Sequence, residues 1–221
     1  MKKLKIIGSI MCLVMNVTYA QEGPGLKNQT DSVSYAIGIS LFDHVSQFEN
    51  PVNVDRVLEG FLAASESSAI MDTESANEYI ADVSSRIREQ EKMKRIMVGE
   101  RFFVENQKEE GIVTTHTGLQ YRVISEGSGE SPTAYDTVRV HYTGYLLDGT
   151  KFESTYDRHQ PAEMVVSRMI RGFGEALQLM KPGAEYVVYI PYFLAYGDRQ
   201  AGPQILPGSS LMFEIKLLEV L

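Results

Sequence analysis

The 221-residue chain is 43% hydrophobic and 23% charged with a formal net charge of −8, an ordinary soluble composition with room for one large domain or two small ones. Residues 1–20 join a basic start (Lys2, Lys3, Lys5) to an apolar run, Ile6 to Val17, that is too short for a bilayer span, and end on Ala20, a small residue suited to signal peptidase. Without them 18 bases face 29 acids, a net charge of −11, and such a surface repels phosphate backbones and anionic lipid heads, which argues against nucleic-acid and membrane-surface binding.

Residues 1–20 therefore read as a secretory signal that is removed. The single cysteine, Cys12, falls inside it, so the mature protein is expected to carry neither thiol nor disulfide. Met11 is larger than the residue a lipidation signal places before its cysteine, which argues against a lipid anchor. No later stretch approaches the length of a membrane span.

Residues 21–30, with two glycines, a proline and polar side chains, form a flexible leader. From Asp31, with Asp31 or Ser32 as cap, Val33, Ile37, Leu41, Val45 and Phe48 make a helical stripe widened by Ile39 and Phe42. Asn50-Pro51 breaks it, and a short helix from Val54 to Ala64 presents Val57, Leu58, Phe61 and Leu62. These helices are too small to bury that much apolar surface alone. Either they fold back on the rest of the chain or they meet a second copy.

Residues 73–110 contain no proline and one glycine, Gly99, and predict a helix of about 57 Å at about 1.5 Å per residue. Its start is amphipathic (Ala76, Tyr79, Ile80, Val83, Ile87), whereas Arg86 to Arg95 is nearly all charged. That waist should be wet on every side and supported by pairs such as Glu91 with Arg95, the pattern of a spacer that ends at Gly111.

Ile112 to Thr117 leads into a second domain, residues 111–221, whose strands are marked by period-2 alternation. The first is Gly118 to Glu126, with Leu119, Tyr121 and Val123 on one side. In the second, Val138, Val140, Tyr142 and Leu146 alternate with Arg139, His141 and Thr143, Asp148-Gly149 turns the chain, and it returns through Phe152. Tyr142 and Phe152 are thus brought within reach of each other. Two such rings wall a binding site or simply fill the core, and spacing alone favours the core. Met164 to Ser167 is extended, Gly172 to Met180 is a one-faced helix stopped by Lys181-Pro182-Gly183, and Val187 to Ile190 is a strand. A long loop from Pro191 to Ser210 precedes a closing strand, Leu211 to Leu221. The fold class is α+β: helices first, then an antiparallel sheet packed on one short helix.

The usual catalytic constellations are missing. His44, His116, His141 and His159 lack metal-ligand spacing, and there is no nucleophile elbow, phosphate loop or dinucleotide fingerprint, so neither a metal nor a cofactor is expected. His141 has no carboxylate partner in sequence and reads as packed or solvated rather than as a base.

What remains is aromatic. Val-His-Tyr-Thr-Gly at 140–144, Asp-Gly-x-x-Phe at 148–152, Ile-x-Gly-Phe at 170–173, Ala-Tyr-Gly at 195–197 and Leu-Met-Phe-Glu-Ile at 211–215 occur in one order and spacing. By these motifs the chain resembles the FKBP-type peptidyl-prolyl cis/trans isomerases from residue 118 onward. By layout, and by Ser-Tyr-Ala-Ile-Gly from Ser34, residues 31–117 resemble the dimerisation module of the macrophage infectivity potentiator subgroup.

The resemblance implies a pocket walled by Tyr142, Phe152 and Phe213, floored by Phe173, and rimmed by Met169, Ile170 and Ile205, with Ala162 and Met164 as further substrate contacts. It implies two donors, the Ile170 N–H and the Tyr196 hydroxyl, and a carboxylate, Glu153, beside Tyr142. The implied partners are proline-containing unfolded or exported polypeptides, macrolide inhibitors, and a second copy docked through residues 31–64. The implied setting is the periplasm of a Gram-negative bacterium, or its cell surface. Four positions depart from the pattern: Phe173 stands for the usual tryptophan, Glu153 for aspartate, Ala162 for an aromatic and Leu206 for proline. The extra methylene of Glu153 puts in question its usual hydrogen bond beside Tyr142. The competing reading is a dimeric holdase that grips unfolded chains while a weakened pocket contributes little.

Overall fold

The computed structural model describes residues 25–46 and 52–221. The expected signal peptide, Cys12, Phe48 and the Asn50-Pro51 break lie outside them.

The chain divides into two compact units, Met1–Asp72 and Thr73–Leu221. The first holds α1 (Gln29–Ser46) and α2 (Val54–Ser65). The cap of α1 is Asn28 rather than Asp31 or Ser32: its side-chain oxygen accepts from the Asp31 N–H at 2.9 Å, while the Asp31 carboxylate accepts from the Lys27 N–H at 3.0 Å. Asn53 caps α2 by accepting from the Arg56 N–H. Between the helices lies an apolar groove of about 450 Å³ lined by Ile37, Leu41, Phe42, Leu58 and Phe61, all of them exposed.

The second unit begins with α3 (Thr73–Asn106), 34 residues that end short of the expected 110 because turns take over before Gly111, whose φ of 78° suits glycine. Its waist departs from expectation. Arg95 reaches Glu91 only through its charge and donates from Nε to a loop, at the Pro207 carbonyl, at 2.9 Å, while Glu91 makes its direct ion pair with Lys94. Ile96 and Gly99 are buried, and Phe102 sets its ring 5.4 Å from that of Tyr189. The charged run is therefore solvated on one side only.

Seven strands follow: β1 (Ile112–Thr114), β2 (Gln120–Ser125), β3 (Thr137–Leu146), β4 (Lys151–Ser154), β5 (Ala162–Val165), β6 (Glu185–Ile190) and β7 (Leu211–Val220). They form one antiparallel sheet in the order β1-β2-β6-β7-β3-β4, with β5 also paired to β3. β4 and β5 share one edge of β3, β5 facing Thr137 to Val140 and β4 facing Thr143 to Tyr145. The two ends of β3 thus have different neighbours, and the hairpin turn lies at the far end from β5. β1 answers to the stretch read as a linker; three residues paired to β2 are too few to show a period.

One short helix, α4 (Arg171–Leu179), packs on the sheet through Phe173, Ala176 and Leu177, all buried with Val138, Val140, Val188 and Leu217. Gly172 makes that approach possible, since a Cβ there would lie 2.4 Å from Ile190 Cγ2. Glu175 anchors the helix to the β1–β2 connection, accepting from the Thr115 and Thr117 hydroxyls at 2.8 and 2.7 Å. Among the described residues no helix is long and apolar enough to cross a membrane.

Candidate functional site

The alternation of β3 sends Tyr142 to the buried face of the sheet, where register places it opposite Ile215 of β7 and two residues from Gly144, opposite Phe213. Phe213 sits at the centre of a ring cluster. Its centroid is 5.1 Å from Phe173, 5.7 Å from Phe152 and 6.1 Å from Tyr142, at interplanar angles of 84°, 85° and 61°. Tyr142 also meets Phe173 at 5.6 Å and 76°. These edge-to-face contacts bring positive ring edges against negative faces, the arrangement aromatic quadrupoles favour. Phe173 and Phe213 lie deep, 4% and 5% exposed, Tyr142 is 9% exposed, and Phe152 is half-buried. Two buried rings thus form a base, and one side of the cluster reaches solvent.

Two segments pack against the core that holds these rings. Met169 and Ile170, both half-buried, end the turn before α4, and Ile170 is the N-cap of that helix, with φ −56° and ψ 146°. Its carbonyl accepts from the Gly174 N–H at 3.0 Å, and among the described residues no protein acceptor takes up its own N–H. That donor lies at the positive end of α4. The loop between β6 and β7 supplies half-buried Tyr196 and buried Ile205, both packed against the core. Ala162 and Met164 lie on β5 opposite Val140 and Val138, bordering the core at the strand's edge.

Glu153 unites the polar groups. Arg158 donates to its carboxylate at 3.0 Å, and the carboxylate stays close enough to the Tyr142 hydroxyl to act on it despite the added methylene. Burial first, and then Glu153, push the Tyr142 hydroxyl up to about 12, so it remains a neutral donor at any physiological pH. Burial first, and then the charge of Glu153, also raise Tyr196. Both hydroxyls therefore feel one carboxylate.

Three contributors escaped the sequence reading as supports of the site. Thr155, fully buried, accepts from the Tyr142 N–H at 2.9 Å and donates to the Tyr142 carbonyl at 3.1 Å, holding that residue's backbone from both sides. Arg158 orients Glu153. Gly144 leaves the space the rings occupy: a Cβ there would come within 2.5 Å of Phe152 and 2.8 Å of Phe213. Its signals in the sequence are its place at the end of the Val-His-Tyr-Thr-Gly motif and a glycine inside a strand. His141 stacks on Tyr156 at 4.5 Å and bonds Thr155 at 2.9 Å, and among the described residues no carboxylate pairs with it. Among the described residues no group of three or more His, Cys, Asp or Glu could hold a metal ion.

Comparison with known proteins bears on this arrangement. Residues 128–218 match the family model described as FKBP-type peptidyl-prolyl cis-trans isomerase, and residues 30–123 match the one described as the domain amino terminal to it. An FKBP-type 22 kDa peptidyl-prolyl cis-trans isomerase of Escherichia coli is 50% identical over 123 residues, 56% of this chain and 60% of that protein. The outer membrane protein MIP of Legionella longbeachae is 35% identical over 232 residues, covering 100% of this chain and 98% of that one. The crystal structure of FkpA from Escherichia coli superposes with a TM-score of 0.73 at 28% identity, over 88% of this chain and 98% of that one.

Proposed function

Because the chain belongs to the FKBP-type peptidyl-prolyl cis-trans isomerase family, we propose that it accelerates rotation about X-Pro bonds of exported polypeptides in the cluster around Phe213. The observation that carries this reading is the contact of one buried ring, Phe213, with Tyr142, Phe152 and Phe173, in a core against which Ile170 and Tyr196 also pack. Phe173 floors the pocket, Tyr142, Phe152 and Phe213 wall it, and Met169, Ile170 and Ile205 rim it, with Ala162 and Met164 as outer contacts.

The chemistry needs no nucleophile. The barrier of roughly 18–20 kcal/mol is the loss of amide resonance, and the planar amide is more polar than the twisted one. A dry aromatic surface penalises the planar ground state more than the twisted transition state. The Ile170 N–H and the Tyr196 hydroxyl hold peptide carbonyls and so favour the twisted geometry. Uncatalysed exchange takes tens to hundreds of seconds, slow enough to limit folding.

The test is a proline-peptide isomerisation assay on residues 21–221. No acceleration, together with suppressed aggregation of an unfolded client, would replace the enzyme by a holdase. Tyr196→Phe is expected to lower kcat/KM by roughly threefold to tenfold, the worth of one hydrogen bond, without a change in thermal midpoint.

The same reading pairs two copies through residues 31–64, supported by the apolar groove between α1 and α2. Sedimentation of the mature chain at micromolar concentration should give a dimer, and Phe61→Glu, a charge placed in that groove, should give a monomer; a monomeric parent rejects the pairing. Export to the periplasm or cell surface is supported by residues 1–20 and by the relative named an outer membrane protein. Mass spectrometry of the secreted or periplasmic protein should find Gln21 at its N-terminus.

A further inference from the structure

We propose that the second half of α3 positions the active-site loop, with Arg95 and Lys92 acting as positioning residues for Tyr196 and Ile205; the inference rests on the isomerase reading above.

The loop between β6 and β7 spans twenty positions, 191–210, and carries two of the residues assigned to the pocket. Three of its glycines, Gly197, Gly202 and Gly208, have positive φ, so its path depends on conformations that cost other residues strain. A segment of this length keeps one shape only if it is tied down. Within the loop, the Gly208 N–H donates to the Gly197 carbonyl at 2.9 Å, and the Ala201 N–H to the Ile205 carbonyl at 2.9 Å.

Further hydrogen bonds close turns at 191–199 and 206–209, Leu194 and Ile205 are buried in the core, and α3 adds ties of its own. Arg95 Nε donates to the Pro207 carbonyl at 2.9 Å, and Lys92 Nζ lies 3.4 Å from the Asp198 carboxylate. Asp198 is two residues beyond Tyr196 and Pro207 two beyond Ile205, so the helix grips the loop beside each pocket residue. Gly208 is pressed on the same helix: a Cβ there would lie 3.0 Å from Ile96 Cγ1 and from the Lys92 carbonyl. At the loop's end, a Cβ on Gly99 would lie 2.7 Å from Ser210 Oγ, which accepts from the Tyr192 N–H at 3.1 Å. Residues 92, 95, 96 and 99 fall on one helical face. That face meets the loop: Arg95 through its Nε donor, and Lys92 through Asp198 while it also pairs within the helix with Glu89 at 2.9 Å.

The test uses the full mature chain. Arg95→Met removes the donor and keeps the stem, Arg95→Lys keeps a cationic donor, and Lys94→Met, an exposed neighbour paired within the helix to Glu91, is the control. Arg95→Met is expected to lower kcat/KM for a short X-Pro peptide about fivefold, and Arg95→Lys to recover most of that loss. Hydrogen exchange of amides in 196–208 should quicken about tenfold in Arg95→Met while β3 and β7 keep their protection. Lys94→Met should change neither. Turnover equal to the parent's, or faster exchange spread over β3 and β7 as well, overturns the proposal, since the second pattern marks general destabilisation. Should Arg95→Met fail to fold, Lys92→Gln is read by the same two measurements. A parent without turnover would sink the isomerase reading instead, and loop exchange alone would then decide whether α3 holds the loop.

Discussion

Phe213→Ala is expected to lower the unfolding free energy by about 3–5 kcal/mol, the largest single effect in the sheet unit, and to reduce turnover to the uncatalysed rate. Phe213 is 5% exposed and lies on β7, between β6 and β3, so its backbone cannot shift to refill the space. Its ring touches three others, and each such pair adds about 0.5–1.5 kcal/mol beyond area burial. Removing it leaves Phe173, Phe152 and Tyr142 facing a void. Phe213→Leu separates site from scaffold: it keeps most of the volume, should cost about 1.5 kcal/mol or less, and should still lose turnover because the quadrupolar edges are gone. Urea unfolding and the peptide assay read the two quantities. A cost below about 1 kcal/mol for Phe213→Ala would mean that the rings do not pack as described.

Strand alternation assigns Val138, Val140 and Tyr142 to one buried side, but spacing alone reads Tyr142 and Phe152 as core. Only the resemblance to the FKBP-type family joins Phe152, Phe173 and Phe213 to Tyr142, and the structure brings those four rings together. The α+β class and the helix at 172–180 followed from the same alternation and from an i, i+3, i+4, i+7 set. The supports were harder to see, because polarity conceals them. Thr155 works on the backbone of Tyr142, and a threonine at the end of a strand announces nothing of the kind. Lys92 and Arg95 sit in a run of charge that reads as solvated, yet one helical face of that run meets a loop more than a hundred positions away. Local pattern reports which side chains avoid water. It does not report which carbonyl a guanidinium will find.

Gly144→Ala is the second large effect, and here turnover should suffer far more than stability. The added methyl would lie 2.5 and 2.6 Å from atoms of the Phe152 ring and 2.8 Å from Phe213, too close for the two rings and β3 all to remain in place. Phe213 is held by Phe173 and Tyr142, whereas Phe152 is half-buried at the edge of the cluster, so Phe152 is the ring that yields. Overpacking of this kind costs about 1–3 kcal/mol of stability. A pocket wall displaced by about 1 Å costs on the order of a hundredfold in kcat/KM, since the reacting bond is no longer held in its productive geometry. The double variant Gly144→Ala/Phe152→Ala identifies the mechanism. If the methyl acts by pushing Phe152, the two stability losses will not add, and the double variant should be more stable than their sum by about 0.5–3 kcal/mol. Strict additivity would place the strain on β3 itself and remove Phe152 as the yielding wall.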